Sequence, residues 1–381
     1  MFYYLSLYLT KLVAGTSLEG AFSALRLFHY ITFRSAGAAV TSLLLSLFFG
    51  PRFIAWLKDL SFGQNYDDRA MEAGQLQRQS PKRGTPTMGG LMIVLTLNLT
   101  TLLWAQWNTL VQLTVLSVVV LAALGFYDDY LKVAKSSSAG AKSRVKLYVQ
   151  SGLAVFIGVY LWQMPATESL ITEIMVPFYK HPVASGAGFA GLIVTALTIV
   201  GSSNAVNLTD GLDGLAIGCT LIVSLVFLIL TYVASNVKIA AYLQIPHVNG
   251  AGELTVFCSA LFGAGLGFLW FNCHPAQVFM GDTGSLAIGG ALGIVAVLIH
   301  QPFVLVIAGG VFVMEAVSVI MQTGYFRYTR KRFGEGRRIF KMAPIHHHFE
   351  KMGWHENQVV VRFYILCILF AVVALSSLKI R

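Results

Sequence analysis

Acidic, amide and histidine side chains cluster at the ends of very apolar segments of this chain. The clusters are Asp128-Asp129, Asn204 to Asp213 (NAVNLTDGLD), Asn272 to Asp282 (NCHPAQVFMGD) and His346-His347-His348. Carboxylates and imidazoles are costly at membrane depth, so such residues mark a functional site by default. Adjacent residues on a helix point about 100° apart, which predicts that one of Asp128 and Asp129 faces a ligand while the other supports it through Lys132 or another cation. Two carboxylates at a helix C-terminus oppose the helix dipole, so a purely structural pair would be poorly placed there. Asn204, Asn207, Asp210 and Asp213 recur every three residues and are expected on one helical stripe, suited to a nucleotide base, a ribose or a metal. The structural alternative is capping of the next helix, which uses one or two of the four. Asp282, between Gly281 and Gly284, is placed as a carboxylate that binds Mg2+ beside substrate phosphates, or as a helix N-cap. Phe279 offers a ring to stack on a base, or an anchor at a membrane interface. The three histidines splay; beside Arg337, Arg338 and Lys341 they fit a phosphate clamp better than a zinc site, the alternative being a solvated loop. Lys82 to Gly90 (KRGTPTMGG), with Lys82 and Thr87, supplies a cation, hydroxyls and glycine backbone for an anion, without Walker A spacing.

Positioning these groups requires helices in lipid. The chain has 381 residues, 56% hydrophobic and 12% charged, and a soluble domain carries about twice that charged fraction. Apolar runs of roughly 18 or more residues recur, each sufficient to cross a core of about 30 Å as a helix. The expected fold is an all-α polytopic membrane protein, residues 1–381 forming one domain, with about ten spans at 34–50, 88–107, 110–127, 147–162, 185–201, 213–233, 254–271, 284–299, 302–326 and 359–379. Residues 1–33 read as an interfacial segment and the entry to the first span. The ninth helix runs on to Phe333; at 1.5 Å per residue that is about 48 Å, so it should bend at Gly309-Gly310 or Gly324, or else tilt strongly. Glu315 in that span and Arg362 in the tenth are expected to pair or to serve a proton path, with Gln322 near enough to reach the site. The GxGxxG match at Gly186, Gly188 and Gly191 lies in an apolar span and reads as helix packing rather than a dinucleotide site.

The net charge is +10, from 27 basic and 17 acidic residues. Nucleic-acid binding is set aside because the cations lie in loops between spans. Nineteen of them fall in loops 51–87, 128–146 and 327–357, which alternation places on one side, against Lys180 and Lys238 opposite. Basic loops stay cytoplasmic, so both termini are expected outside, with Asp128, Asp210, Asp282 and His346 at a cytoplasmic cleft. The four cysteines are scattered and read as reduced core residues, and the N-terminus lacks the pattern of a removed signal peptide. Carboxylates, amides, histidines and cations gathered at one membrane face suit a reaction between a phosphorylated soluble substrate and a phosphorylated lipid, where positioning and charge neutralisation dominate.

DDYLK at 128–132, NAVNLTDGLDGLA at 204–216, VFMGDTGSLA at 278–287, PTMGG at 86–90 and APIHHHFE at 343–350 resemble the motifs of the phospho-N-acetylmuramoyl-pentapeptide transferase family, within the polyprenyl-phosphate N-acetylhexosamine-1-phosphate transferases. The match runs in order from about residue 80 to the C-terminus. The aspartate motifs are common to the superfamily, and the histidine triplet resembles the muramoyl branch. The resemblance implies transfer of phospho-N-acetylmuramoyl-pentapeptide from UDP to undecaprenyl phosphate, giving lipid I and UMP with Mg2+. It also implies ten helices, a cytoplasmic cleft, a bacterial inner-membrane location among membrane lipids, and a homodimer. Carried over residue by residue, Asp282 holds Mg2+, and Asp128, with Asp129 beside it, serves as base or lipid-phosphate contact. Asn207, Asp210, Asp213, Asn272 and Phe279 hold the uridine end. Lys82, Thr87, Lys132, Lys146, Gln322 and His346 to His348 serve the sugar and phosphates, with Lys142 and Arg144 competing for the place of Lys146. Two rival readings are a transferase of N-acetylglucosamine-1-phosphate to the same lipid and an ion-coupled transporter.

Overall fold

Backbone amides in hydrocarbon have no water to bond, so a spanning chain must satisfy them within each segment. The computed structural model describes residues 1–16, 19–20, 22–60, 84–134 and 140–378; these form helices and the segments between them, with no strand among the described residues and an antiparallel bridge between Ile174 and Ala184. In chain order the helices are α1 (Phe2–Val13), α2 (Ile31–Asp59), α3 (Gly90–Trp104), α4 (Thr109–Ala134), α5 (Ser143–Gln163), α6 (Ser169–Thr172), α7 (Gly188–Thr209), α8 (Leu215–Ser235), α9 (Val237–Leu243), α10 (Gly252–Asn272), α11 (Gly281–Leu298), α12 (Pro302–Ala308), α13 (Gly310–Phe333), α14 (Ile345–Lys351) and α15 (Glu356–Ser376), with a 3-10 turn at Ser23–His29.

Eight of the described helices are long and apolar enough to cross a membrane: α2, α4, α5, α7, α8, α10, α11 and α15. The chain is a multi-pass, all-helical membrane protein. The expected ninth span is broken: α12 and α13 meet at Gly309 with a bend of 84°. The break falls at the first of the two anticipated weak points, and Gly324 lies inside continuous helix. The expected second span is α3, whose 15 residues rise about 22 Å, short of a bilayer core of about 30 Å.

The packing is layered around α11, in which every residue from Thr283 to Leu298 is buried. Helices α4, α7, α3 and α8 surround it, and α10 packs between α2 and α8. Outer helices expose Leu44, Phe48, Leu197, Ile365 and Val372, an apolar surface that suits lipid rather than water. Gly188 and Gly191 pack against Trp162 and Ile171, in keeping with a helix-packing role. The cysteines are free, but Cys273 is exposed rather than in the core, because it lies in the turn after α10.

At the end of the bundle away from Asp282, Arg34 donates to both carboxylate oxygens of Glu253 at 2.5 and 2.7 Å, and Glu253 also accepts the Gln106 N–H at 2.6 Å. Arg34 reaches the Trp104 carbonyl as well. This buried pair ties α2 to α10 and to the α3–α4 turn. Removing one partner leaves a buried charge uncompensated. Glu253→Ala should therefore lower unfolding stability in detergent by about 3 to 5 kcal/mol, measured by denaturant titration, whereas the paired replacement Arg34→Met with Glu253→Leu should restore most of it.

Candidate active site

The site forms where the C-terminal end of α4 meets the N-terminal end of α11. Gly125 makes the approach possible: a Cβ there would lie 2.2 Å from the Asp282 carbonyl oxygen. One turn further along α4, Asp129 accepts hydrogen bonds from Asp282 N–H at 3.1 Å, Thr283 N–H at 2.9 Å and the Thr283 hydroxyl at 2.7 Å. It thereby satisfies donors that a helix start leaves free, and its charge complements the helix dipole. Asp282 is not the cap of its own helix; Asp129 fills that role from α4.

Asp128, about 100° round the helix from Asp129, meets the lysines instead. Its Oδ2 lies 2.6 Å from Lys132 Nζ and its Oδ1 lies 2.9 Å from Lys146 Nζ, while the Ala141 N–H donates to it at 2.7 Å. Asp282 contacts the same two lysines, Lys146 at 2.5 Å and Lys132 at 3.2 Å, and accepts from Asn207 Nδ2 at 2.9 Å. Lys146, in the first turn of α5, rather than Lys142 or Arg144 contacts this centre; the other two are exposed. Oxygens of Asp128, Asp129 and Asp282 lie within 4.8 Å of one another. Three carboxylates against two ammonium groups leave a local negative charge, and an all-oxygen donor set of this kind fits a hard divalent cation such as Mg2+.

The α7–α8 turn closes a second side. Helix α7 ends at Thr209, so Asp213 is not on one stripe with Asn204 and Asn207; the spacing of three carries only to the helix end. Asn207 faces the centre and also donates to Ser285 Oγ at 2.8 Å. Asn204, one turn back, donates instead to Gln150 Oε1 and the Val200 carbonyl, both at 2.8 Å. Burial, then the carboxylates of Asp282, Asp129 and Asp213, push the Asp210 carboxyl up to about 8, against a hydrogen bond from the Gly281 N–H. Asp213 accepts from the Ala276 N–H, lies 2.9 Å from His274 Nδ1, and its N–H donates to Glu356. Asn272 is buried and pins the turn, accepting from the Gly214 N–H and donating to the Val278 carbonyl. His274 stood in the quoted NCHPAQ motif without being singled out; Glu356, at the start of α15, has no sequence signal for a place here.

Segment 84–90 pairs its backbone with 279–280: Phe279 N–H donates to the Pro86 carbonyl, and Gly89 and Gly90 donate to the carbonyls of Phe279 and Met280. Thr87 is buried beside Gly281 and Asp129. Lys82 lies outside the described residues. Gln322 does not present its amide to the centre; it accepts from the N–H groups of Ile339 and Phe340 and donates to the Phe340 carbonyl.

The histidines occupy a short helix, α14, rather than a loop, and each has a different partner. His346 is fully buried, with Nδ1 3.0 Å from Glu315 Oε2. His347 Nδ1 meets Glu350 Oε2 at 2.7 Å, and burial holds this imidazole below the usual histidine range against that carboxylate. His348 Nδ1 accepts the Lys341 N–H. The expected Glu315–Arg362 pair does not form, because the Arg362 guanidinium stacks on the Trp354 ring at 3.9 Å.

A bundle of membrane helices carrying a carboxylate–lysine centre at one end fits the class of integral membrane transferases. In keeping with that class, a model described as glycosyl transferase family 4 matches residues 111–300, and phospho-N-acetylmuramoyl-pentapeptide-transferase signature 1 matches residues 82–94. The chain is 48% identical over 365 residues to the phospho-N-acetylmuramoyl-pentapeptide-transferase of Desulfotalea psychrophila, covering 96% of this chain and 98% of that one. It is 46% identical over 382 residues to the protein of that name from Methylacidiphilum infernorum, covering all of both. The match to that of Opitutus terrae is 49% over 367 residues, 96% of this chain and 98% of the other. The chain belongs to the phospho-N-acetylmuramoyl-pentapeptide-transferase family.

The Asp210 environment sets a pH dependence. An aspartate in the unfolded chain titrates near 3.8, and Asp210 in the fold near 8. Between these values the folded chain keeps a proton that the unfolded chain has released, so stability falls as pH rises through the window. In EDTA, the thermal midpoint of the wild type should drop more steeply from about pH 5 to about pH 8 than that of Asp210→Asn; parallel curves would contradict this.

Proposed function

We propose that the chain transfers phospho-N-acetylmuramoyl-pentapeptide from its UDP carrier to undecaprenyl phosphate, giving lipid I and UMP. The observation that carries this reading is identity of 46% to 49%, over nearly the full length, to proteins bearing that transferase name. The carboxylate–lysine centre supports it independently.

Asp282 is the proposed Mg2+ ligand, with Asp128 beside it. Bound there, Mg2+ would neutralise charge on the donor diphosphate. An oxygen of the lipid phosphate attacks the β-phosphorus, the bond from that phosphorus to the bridging oxygen breaks, and UMP leaves. Lys132 and Lys146 offset the charge spread over the phosphoryl oxygens. Asp128 contacts the lipid phosphate or removes its proton, and Asp129 holds the first turn of α11 in place. Asn207, Asp210, Asp213, Asn272 and Phe279 hold the uridine end, with Asn204 behind them. Lys82, Thr87, His347 and His348 serve the sugar and phosphates, while Gln322 braces the 339–340 backbone.

For the acceptor tail there is an apolar groove of about 330 Å³ between α7, α11 and the α12–α13 bend, lined by Val194, Leu197, Val206, Leu305, Phe312 and Val313. It runs beside α7, whose far end carries Asn207, so a polyprenyl chain lying there would bring its phosphate toward the carboxylates. The further elements of the proposal are ten spans, with α3 and the bent α12–α13 pair completing the set, and both termini outside. The centre faces the cytoplasm of a bacterial inner membrane, and residues 1–381 act as one unit within a homodimer. The one-sided distribution of loop cations supports this orientation.

With purified protein, labelled UDP-N-acetylmuramoyl-pentapeptide should become lipid-soluble product only when Mg2+ is present. Asp128→Asn, Asp282→Asn and His347→Ala should each lower turnover by at least about 10²-fold. Turnover of UDP-N-acetylglucosamine alone, or uptake of the intact nucleotide into vesicles, would overturn the reading. Exchange of UMP without lipid would instead favour a covalent aspartyl intermediate over direct attack.

A further inference from the structure

Glu315 is an anomaly that the proposed reaction does not use. It sits in the first turns of α13, just past the Gly309 break, and is fully buried. A carboxylate at such depth is costly without a cation, and Arg362 is turned away on Trp354. The group that meets Glu315 is His346, also fully buried, at 3.0 Å. The approach is off the hydrogen-bond direction, so both Glu315 oxygens and both His346 ring nitrogens lack an aligned partner. Buried polar atoms in that state call for a role beyond stability, since an apolar pair of equal volume often serves a fold as well.

The other edge of His346 shows what the pair holds. A Cβ on Gly211 would lie 2.3 Å from His346 Nε2, so only glycine admits this ring edge against the α7–α8 turn. Gly211 adjoins Asp210, whose carboxylate accepts the Gly281 N–H next to Asp282. Nδ1 lies toward Glu315 and Nε2 toward the turn, so the 3.0 Å contact with the carboxylate bears on which way the ring faces. Residues of the same helix, Phe312, Val313, Ala316 and Val317, line the apolar groove. Glu315 thus joins the acceptor-side helix to the donor-side turn.

We infer that Glu315 is a positioning residue for transfer, acting through His346, whose ring it orients against the 209–214 turn. This rests on the proposed lipid I reaction. The test compares wild type, Glu315→Gln, His346→Gln and the double variant as purified full-length protein, with both substrates varied. Glu315→Gln should lower kcat about tenfold or more while leaving both KM values within about twofold, and its thermal midpoint should match the wild type. The double variant should be no slower than His346→Gln alone, since residues acting through one another do not add. Should Glu315→Gln fail to fold, Glu315→Asp carries the test: it should slow wild type but not His346→Gln. Wild-type kcat in Glu315→Gln, or losses that multiply in the double variant, would overturn the inference and leave the reaction standing. A wild type that makes no lipid-soluble product would overturn the reaction itself and this inference with it.

Discussion

The Asp129 carboxylate accepts three hydrogen bonds from the first turn of α11, and through them α4 decides where Asp282 stands. That contact joins two motifs about 150 residues apart in the chain, on helices already packed together through Gly125. With it, Asp128 and Asp282 are brought close enough to share Lys132 and Lys146. The arrangement is electrostatically demanding, because three carboxylates within 4.8 Å repel one another. The two lysines relieve only part of that repulsion, which is the condition under which a divalent cation or a multiply charged phosphate–metal complex binds well. The adjacent aspartates therefore divide the work, one building the site and one facing it.

The membrane imposes the remaining order. Helices buried by apolar packing carry their polar groups at their ends, and the two ends of this bundle use them differently. At one end Arg34 and Glu253 close on each other in a bidentate pair. At the other the carboxylates, amides and lysines form an open set around Asp282. The bend at Gly309 adds a second departure from regular helix, turning α13 by 84° from α12. It leaves an apolar groove along α7 and brings Glu315 to His346.

Much of this was legible in the residues. Hydropathy runs gave most of the helices, and the excess length of 302–333 left open a bend at Gly309-Gly310, a bend at Gly324 or a strong tilt, of which the first is found. The angular separation of Asp128 and Asp129 anticipated different partners, which are the two lysines for Asp128 and the first turn of α11 for Asp129. What periodicity could not give was where a helix stops: α7 ends at Thr209, so Asp213 leaves the stripe and joins His274 and Glu356 instead. Side-chain partners set by tertiary packing were equally hidden. Gln322 lies near the site by spacing but holds the backbone of Ile339 and Phe340. Arg362 looked like a partner for Glu315, yet an aromatic face claims it, and the histidine that takes its place lies 31 residues along the chain from Glu315 on a different helix. Which of Lys142, Arg144 and Lys146 reaches the carboxylates depended on the rotation of α5, which sequence leaves open; in the structure Lys146 contacts Asp128 and Asp282.

The proposed cation-binding centre lies where the end of α4 meets the start of α11. Mn2+, read by electron paramagnetic resonance, titrates that centre without any need for turnover. Purified wild-type protein should take up one saturable equivalent, and Asp128→Asn and Asp282→Asn should each lose it while remaining folded. Undiminished stoichiometric binding in both variants would contradict the claim.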